Sequence, residues 1–79
     1  MIYLKIETNN ITTYIHTFDE GHVKGFCITY DKSLNKICSI KPITLKQWIL
    51  YNEKYEKYKK YRITQSEYNK FIRKIVNML

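Results

Sequence analysis

Apolar and polar residues alternate with a period of two along the first forty positions, which is typical of β-strands with one buried face. Turn-forming residues interrupt the alternation at "NN", "DEGH" and "DKSLN". The pattern predicts strands over residues 2–7, 11–18, 23–30 and 36–40. We therefore predict an antiparallel β-meander of three to four strands over residues 1–41.

Three features of this region carry more specific expectations. Asn9 and Asn10 tolerate the left-handed conformation that a tight hairpin turn needs. Gly25 interrupts the third strand and predicts a bulge or a close backbone approach there. The outer face of the sheet should offer Tyr3, Lys5, Tyr14 and His16, where rings could stack on bases or remain ordinary exposed strand residues.

After Pro42 the apolar period changes to 3.6, and two similar motifs predict helix starts. In "ITLKQW", Thr44 is placed as N-cap and Gln47 as its reciprocal partner, with Ile43 in position to pack on Trp48. In "ITQSEY", Thr64 and Glu67 repeat the arrangement. Helices are predicted over 44–61 and 64–78, so the 79 residues form a single α+β domain of the order ββββαα.

The first helix contains "YNEKYEKYKKYR", in which most tyrosines and most basic residues fall on different sides of the helix. At 100° per residue one side is a predicted core stripe: Leu45, Trp48, Tyr51, Tyr55 and Tyr58. The opposite side carries lysines together with Leu50 and Tyr61, two residues without an obvious structural role. This side is either a solvated face or an interface with charges at its rim.

The second helix has a continuous apolar stripe made of Tyr68, Phe71, Ile72, Ile75, Val76 and Leu79, which predicts core packing. Asn69, Lys70, Arg73, Lys74 and Asn77 lie opposite. If the basic sides of the two helices adjoin, they form one patch that can neutralise several phosphates.

The net charge of +7 is concentrated in the second half of the chain. Residues 1–40 contain four lysines and four acidic residues, whereas residues 41–79 contain ten lysines or arginines and three glutamates. This asymmetry is typical of a domain that presents a basic face to an anionic partner. The candidate binding residues are Lys46, Leu50, Lys54, Lys57, Lys60, Tyr61, Arg62, Lys70, Arg73 and Lys74.

The sequence contains no recognisable catalytic, cofactor or metal motif. His16, His22, Cys27 and Cys38 do not have the close pairing of zinc ligands, and a strand cysteine is more often a packed thiol than a nucleophile. The chain has only two glycines, too few for a phosphate-binding loop. We expect a non-enzymatic protein without a cofactor or metal, and with reduced cysteines.

The sequence therefore predicts a small basic binding module that contacts RNA, more readily than DNA, or a nucleoprotein complex. The alternative is an inhibitor or adaptor that docks on an acidic protein surface, with Leu50 and Tyr61 as anchors. The stretch after Met1 has no apolar run long enough for a signal peptide or a membrane span, which predicts a cytoplasmic protein.

In overall style the chain resembles small anti-defence proteins of phages and mobile elements, including anti-CRISPR proteins. It is short, rich in Lys, Asn, Ile and Tyr, and its most distinctive local feature is "KYEKYKKYR". The resemblance implies inhibition of a host defence complex through its protein or its guide RNA. Many such inhibitors are acidic mimics of nucleic acid, and this basic chain departs from that pattern.

Overall fold

The computed structural model confirms the predicted ββββαα arrangement. It describes residues 1–53 and 55–78, and the side chains of all of these except Glu53, Tyr55, Glu56 and Met78. The strands are β1 (Ile2–Glu7), β2 (Ile11–Glu20), β3 (Val23–Asp31) and β4 (Lys36–Pro42). The helical elements are α1 (Leu45–Glu53), α2 (Tyr55–Tyr58), a 3₁₀ turn (Lys59–Tyr61) and α3 (Gln65–Met78).

The four strands form one antiparallel sheet in the order β1-β2-β3-β4, as a meander requires. Leu4 pairs with Ile15, and Ile15 pairs with Cys27, so the apolar alternation of adjacent strands is in register. The expectation for the first hairpin was wrong in one respect, because Asn9 and Asn10 do not adopt a positive φ. The loop is closed instead by the Thr8 N–H, which donates to the Ile11 carbonyl at 2.9 Å.

Both predicted helix starts are confirmed by N-cap hydrogen bonds. The Gln47 N–H donates to Thr44 Oγ1 at 3.1 Å, and the Thr44 N–H donates to Gln47 Oε1 at 3.0 Å. The Glu67 N–H donates to Thr64 Oγ1 at 3.1 Å. Ile43 is buried with Trp48 packed against its cluster, as the staple predicts.

One face of the sheet, the α1 face, is covered by the first helical region, which consists of α1, α2 and the 3₁₀ turn. Its buried cluster consists of Ile2, Leu4, Ile15 and Ile43. Trp48, Tyr51, Tyr58 and Tyr61 pack against this cluster, together with Ile6 and Cys27. The core interpretation of Trp48, Tyr51 and Tyr58 is therefore confirmed, whereas the side chain of Tyr55 lies outside the described part of the chain.

The opposite face, the α3 face, is covered by the second helix. Its buried cluster joins Ile28 and Tyr30 of β3 to Phe71 and Ile75 of α3. Tyr14, Ile37 and Ile72 pack against it. Because successive strand residues point to opposite faces, Ile2 and Leu4 contact one helical layer while Tyr3 and Lys5 contact the other. The sheet is the middle layer of three.

The chain crosses from the α1 face to the α3 face at the outer edge of β1. Arg62 forms an antiparallel bridge with Leu4, and the Ile63 N–H donates to the Tyr3 carbonyl at 3.0 Å. This short pairing covers part of an edge that would otherwise expose backbone groups. The basic sides of the two helices consequently lie on opposite faces of the sheet and do not adjoin.

Four sequence-based assignments of helix faces change in the structure. Leu45, predicted to be core, is 56% exposed at the first residue of α1, and Val76, predicted to be core, is 59% exposed on α3. Tyr61, which the helical wheel placed on the solvated face, packs against the α1-face cluster, because the 3₁₀ turn changes its direction. Leu50 is half-buried. Leu79 lies outside the described residues.

Candidate nucleic-acid interface

A groove of about 340 Å³ opens on the α3 face, between α3 and the first three strands. Its charged lining comes from separate parts of the chain. Four lysines contribute, namely Lys5 on β1, Lys32 in the turn after β3, and Lys70 and Lys74 on α3, together with two acidic residues, Glu7 and Glu67. Opposite charges in equal number would give a neutral site, but here the cations are in excess by two.

The floor of the groove is aromatic. The rings of Tyr14 and Phe71 are stacked, with centroids 3.7 Å apart and planes 10° apart. Phe71 also meets Tyr30 edge to face at 5.9 Å. The Tyr30 hydroxyl donates to the side-chain oxygen of Asn35, a residue whose φ of 51° shapes the β3–β4 turn. Helix and sheet thus meet at the floor through packed rings.

Two of the groove lysines are held by carboxylates. Lys5 Nζ lies 3.2 Å from Glu7 Oε1 and 4.0 Å from Glu67 Oε2, and Lys32 Nζ lies 3.4 Å from Glu7 Oε2. Lys32 also donates to the Thr8 carbonyl at 3.3 Å. Glu7 therefore connects β1 to the β3–β4 turn along the rim of the groove.

The titration of this cluster follows from those contacts. Burial disfavours the ammonium of Lys5, but the hydrogen bond with Glu7 and the nearby negative charges outweigh it and raise the pKa of Lys5. The hydrogen bond from Lys5, together with the charges of Lys5 and Lys32, lowers the pKa of Glu7. Both members of the pair consequently remain charged at neutral pH.

The two lysines of α3 have no carboxylate partner among the described side chains. Lys74 Nζ lies 5.4 Å from the centroid of Tyr30, where the ring attracts the cation without neutralising it. Lys70 is exposed one helical turn earlier on the same side of α3. These two ammonium groups are available to an anionic ligand.

The predicted binding residues separate into two groups. Lys70 and Lys74 line the groove, and Arg73 is exposed beside them on α3. The second group lies away from the groove: the first helical region carries Lys46, Lys57 and Lys60, and the crossing carries Arg62. Lys57 lies over the ring of Tyr58, and Lys60 lies over the ring of Tyr61. Lys54 lies outside the described residues.

Sequence reasoning placed Lys5 on the outer face of the sheet but did not connect it with α3, and it missed Lys32. The only available signal was the strand alternation, which places Lys5 on the same face as Tyr3 and Tyr14 of the paired strand. Lys32 carries no such signal, because its position depends on the β3–β4 turn. That turn is shaped by Asp31 Oδ1, which accepts hydrogen bonds from Ser33 N at 2.9 Å and from Leu34 N at 3.0 Å.

The sequence left open whether Tyr3, Tyr14 and His16 stack on bases or are ordinary exposed strand residues, and in the structure they pack against α3 instead. Tyr3 stacks on His16 at 4.5 Å, and both contact Tyr68 of α3 at 5.1 and 5.2 Å. Tyr14 is stacked on Phe71. The helix thus occupies the aromatic surface that would otherwise serve as a stacking platform.

His16 gives this aromatic contact a pH dependence. Burial, followed by the charge of the N-terminus, lowers the pKa of His16 below its ordinary value of 6.5. Because the folded state favours the neutral imidazole, its contribution to stability is complete above pH 6.5 and is lost as the pH falls through the lower, folded pKa. We expect the melting temperature to fall between pH 7 and pH 5.

The control for this prediction is His16→Gln, which removes the titrating group. Thermal unfolding of the variant should depend less on pH over the same range. Glu7 and Asp31 have lowered pKa values, so their contributions to stability are lost only below pH 5. An equally steep decline in the variant would show that His16 is not the responsible group.

Other chemistries receive no structural support in the described part of the molecule. Its His, Cys, Asp and Glu side chains form no group of three or more that could hold a metal ion. Cys27 is half-buried, and burial raises the pKa of its thiol, as for a packed residue, while Cys38 is exposed on β4. None of the described helices combines the length and the apolar character needed to cross a bilayer.

Comparison with known proteins leaves the groove as the principal guide to function, because no protein-family model, curated protein or solved structure matches the chain significantly.

Proposed function

We propose that the protein is a non-enzymatic, cytoplasmic nucleic-acid-binding module, and that it contacts RNA through the α3 side of the molecule. The observation that carries this proposal is the convergence of four lysines from three chain segments on one groove. Glu7 and Glu67 can balance only two of the four lysine charges, so a net repulsion between cations remains at the groove. An anionic ligand offsets that repulsion.

The surface has the properties that phosphate binding requires. Lys70, Arg73 and Lys74 are exposed and close together on α3, so they can contact the phosphate groups of one strand. Lys5 and Lys32 are positioned by Glu7, and therefore lose less conformational entropy on binding than free surface lysines. The affinity should decline steeply with salt, as expected when phosphate contacts release counterions.

Charge reversal on α3 tests the proposal. Lys70→Glu with Lys74→Glu should weaken binding of a short single-stranded RNA by at least about tenfold at physiological salt, and should lower the salt slope by roughly one per lost contact. Fluorescence anisotropy over a salt series measures both quantities. The fold should persist, because exposed charges contribute little stability.

The matched control is Lys57→Glu with Lys60→Glu, which makes the same change in net charge on the first helical region. Those lysines lie away from the groove, so the control should lose much less affinity than the α3 variant. Equal losses would mean that only the total charge matters and would refute a specific interface on α3. If no RNA or DNA binds to the wild-type protein at low salt, the proposed function is wrong.

A second candidate function, docking on an acidic protein surface, is favoured by the exposed side of α1. Leu45 is 56% exposed and Ile49 is 37% exposed, one helical turn apart, with Lys46 beside them. This pair replaces Leu50 and Tyr61 as the candidate anchors, because those two are partly buried. Loss of a protein complex on Leu45→Asp, with RNA binding unchanged, would support this function.

The resemblance to anti-defence proteins gives the proposal a biological setting. In a phage or mobile element, a module of this kind would inhibit a CRISPR-type complex by contacting its guide RNA. Addition of the protein to a purified complex should then block target binding. The Lys70→Glu, Lys74→Glu variant should not block it, and inhibition that survives in this variant would point to a protein contact instead.

A further inference from the structure

The groove is the size of a small-ligand site, not of a channel that follows a strand. Its volume of about 340 Å³ is near the lower end of the range of about 300 to 1,000 Å³ for small-molecule pockets. An open groove of this size has room for about one unit of a strand, such as one base or one phosphate group. The groove therefore selects a single chemical group of a nucleic acid.

That group is not a base, because the rings of the floor are already in contact with other groups. Tyr14 has Phe71 stacked at 3.7 Å, and Lys5 Nζ lies 5.8 Å from its centroid. Tyr30 is met by the edge of Phe71 and by Lys74. The rings hold lysine ammonium groups in place, and these groups line the opening.

The charge of the groove identifies the chemical class. Four lysines and two glutamates leave an excess of two positive charges. A phosphodiester in the middle of a strand carries one negative charge, whereas a terminal phosphomonoester carries about 1.5 to 2 at neutral pH. Only the terminal group brings enough charge to balance the excess.

We infer that the groove binds the terminal phosphate of a nucleic-acid strand, with Lys70 and Lys74 as the principal ligands and Lys5 and Lys32 completing the charge. This inference rests on the proposed function. The following phosphodiesters leave the groove along α3, where Arg73 is exposed beside Lys70 and Lys74. Recognition by charge at one end is independent of base sequence.

The test compares three oligoribonucleotides of one sequence, carrying a 5′-phosphate, a 3′-phosphate or hydroxyls at both ends. One of the phosphorylated strands should bind the wild-type protein roughly tenfold more tightly than the hydroxyl strand, because it gains a further charge-assisted contact. The phosphorylated strand that binds more tightly shows whether the groove takes a 5′ end or a 3′ end. The preference should decline below about pH 6, where the phosphomonoester becomes a monoanion.

Two variants locate the preference within the groove. Lys74→Gln should largely abolish the difference between phosphorylated and hydroxyl strands, whereas Arg73→Gln, a matched change outside the groove lining, should weaken both strands and retain the difference. Circular dichroism establishes that both variants are folded. Retention of the preference in Lys74→Gln would overturn the assignment of the site.

The outcomes separate the inference from the proposed function. If all three strands bind with equal affinity, the terminal-phosphate site is wrong while nucleic-acid binding stands. If none of them binds, both are wrong. If a phosphoserine peptide competes as well as the phosphorylated strand at equal concentration, the groove reads phosphomonoesters without regard to nucleic acid, and the assignment to a strand end is overturned.

Discussion

Replacing Gly25 with alanine is expected to destabilise the protein by roughly 2 to 6 kcal/mol, since strain at a positive φ and overpacking each cost about 1 to 3 kcal/mol. Gly25 has a φ of +133°, and an added Cβ would lie 2.1 Å from the His16 carbonyl oxygen and 2.9 Å from Thr17 Cα. These are backbone atoms of the paired strand, which cannot rotate away. Chemical denaturation measures the loss directly.

Gly21→Ala is the matched control for this change. Gly21 also has a positive φ, of +65°, but an added Cβ would meet no atom within 4 Å. The control should therefore cost only roughly 1 to 2 kcal/mol, the penalty of the left-handed conformation itself. If the two substitutions had the same effect, the close approach of β2 and β3 at Gly25 would not be the source of the destabilisation.

Phe71→Ala should have a comparable effect, of about 3 to 5 kcal/mol, on the free energy of unfolding. Phe71 is 7% exposed and is the residue through which α3 contacts both Tyr14 and Tyr30. Its removal leaves a cavity between helix and sheet, because the surrounding packed rings cannot move far enough to fill the space. Because a domain has only about 5 to 15 kcal/mol of stability, a substantial unfolded population is expected.

Val76→Ala on the same helix provides the comparison. Val76 is 59% exposed, so its truncation should change stability by no more than about 0.5 kcal/mol. A large loss from Val76→Ala together with a small loss from Phe71→Ala would show that α3 packs on the sheet through a different side. The assignment of Phe71 to the floor of the groove would then also be wrong.

Several features of the fold could be predicted from the sequence because their causes are local. Alternation of apolar residues over a few positions is sufficient to predict each strand, and turn residues separate the strands. The caps at Thr44 and Thr64 depend on partners three residues away, so their hydrogen bonds appear where the sequence predicts them. Gly25 was recognisable as a special position because a glycine inside a strand commonly marks a bulge or a close approach of another backbone.

The candidate site was predictable only in part. Lys70, Arg73 and Lys74 were identified because three basic residues share one side of an amphipathic helix, which is a local property. Lys5 and Lys32 come from distant parts of the chain and reach the groove only through the strand register and the β3–β4 turn. Tyr61 was misassigned because a helical wheel assumes a continuous α-helix, whereas the residue lies in a 3₁₀ turn.

The strands, the helix starts and the basic character of α3 were specified within the sequence, since each depends on neighbours along the chain. The placement of the helices on opposite faces of the sheet came from tertiary contacts. The strands carry buried residues on both sides, with Leu4 and Ile15 on one and Ile28 and Tyr30 on the other, so the sheet needs two covering layers. The pairing of Arg62 with Leu4 takes the chain around the edge of β1, and this crossing separates the two basic surfaces and creates the groove beside α3.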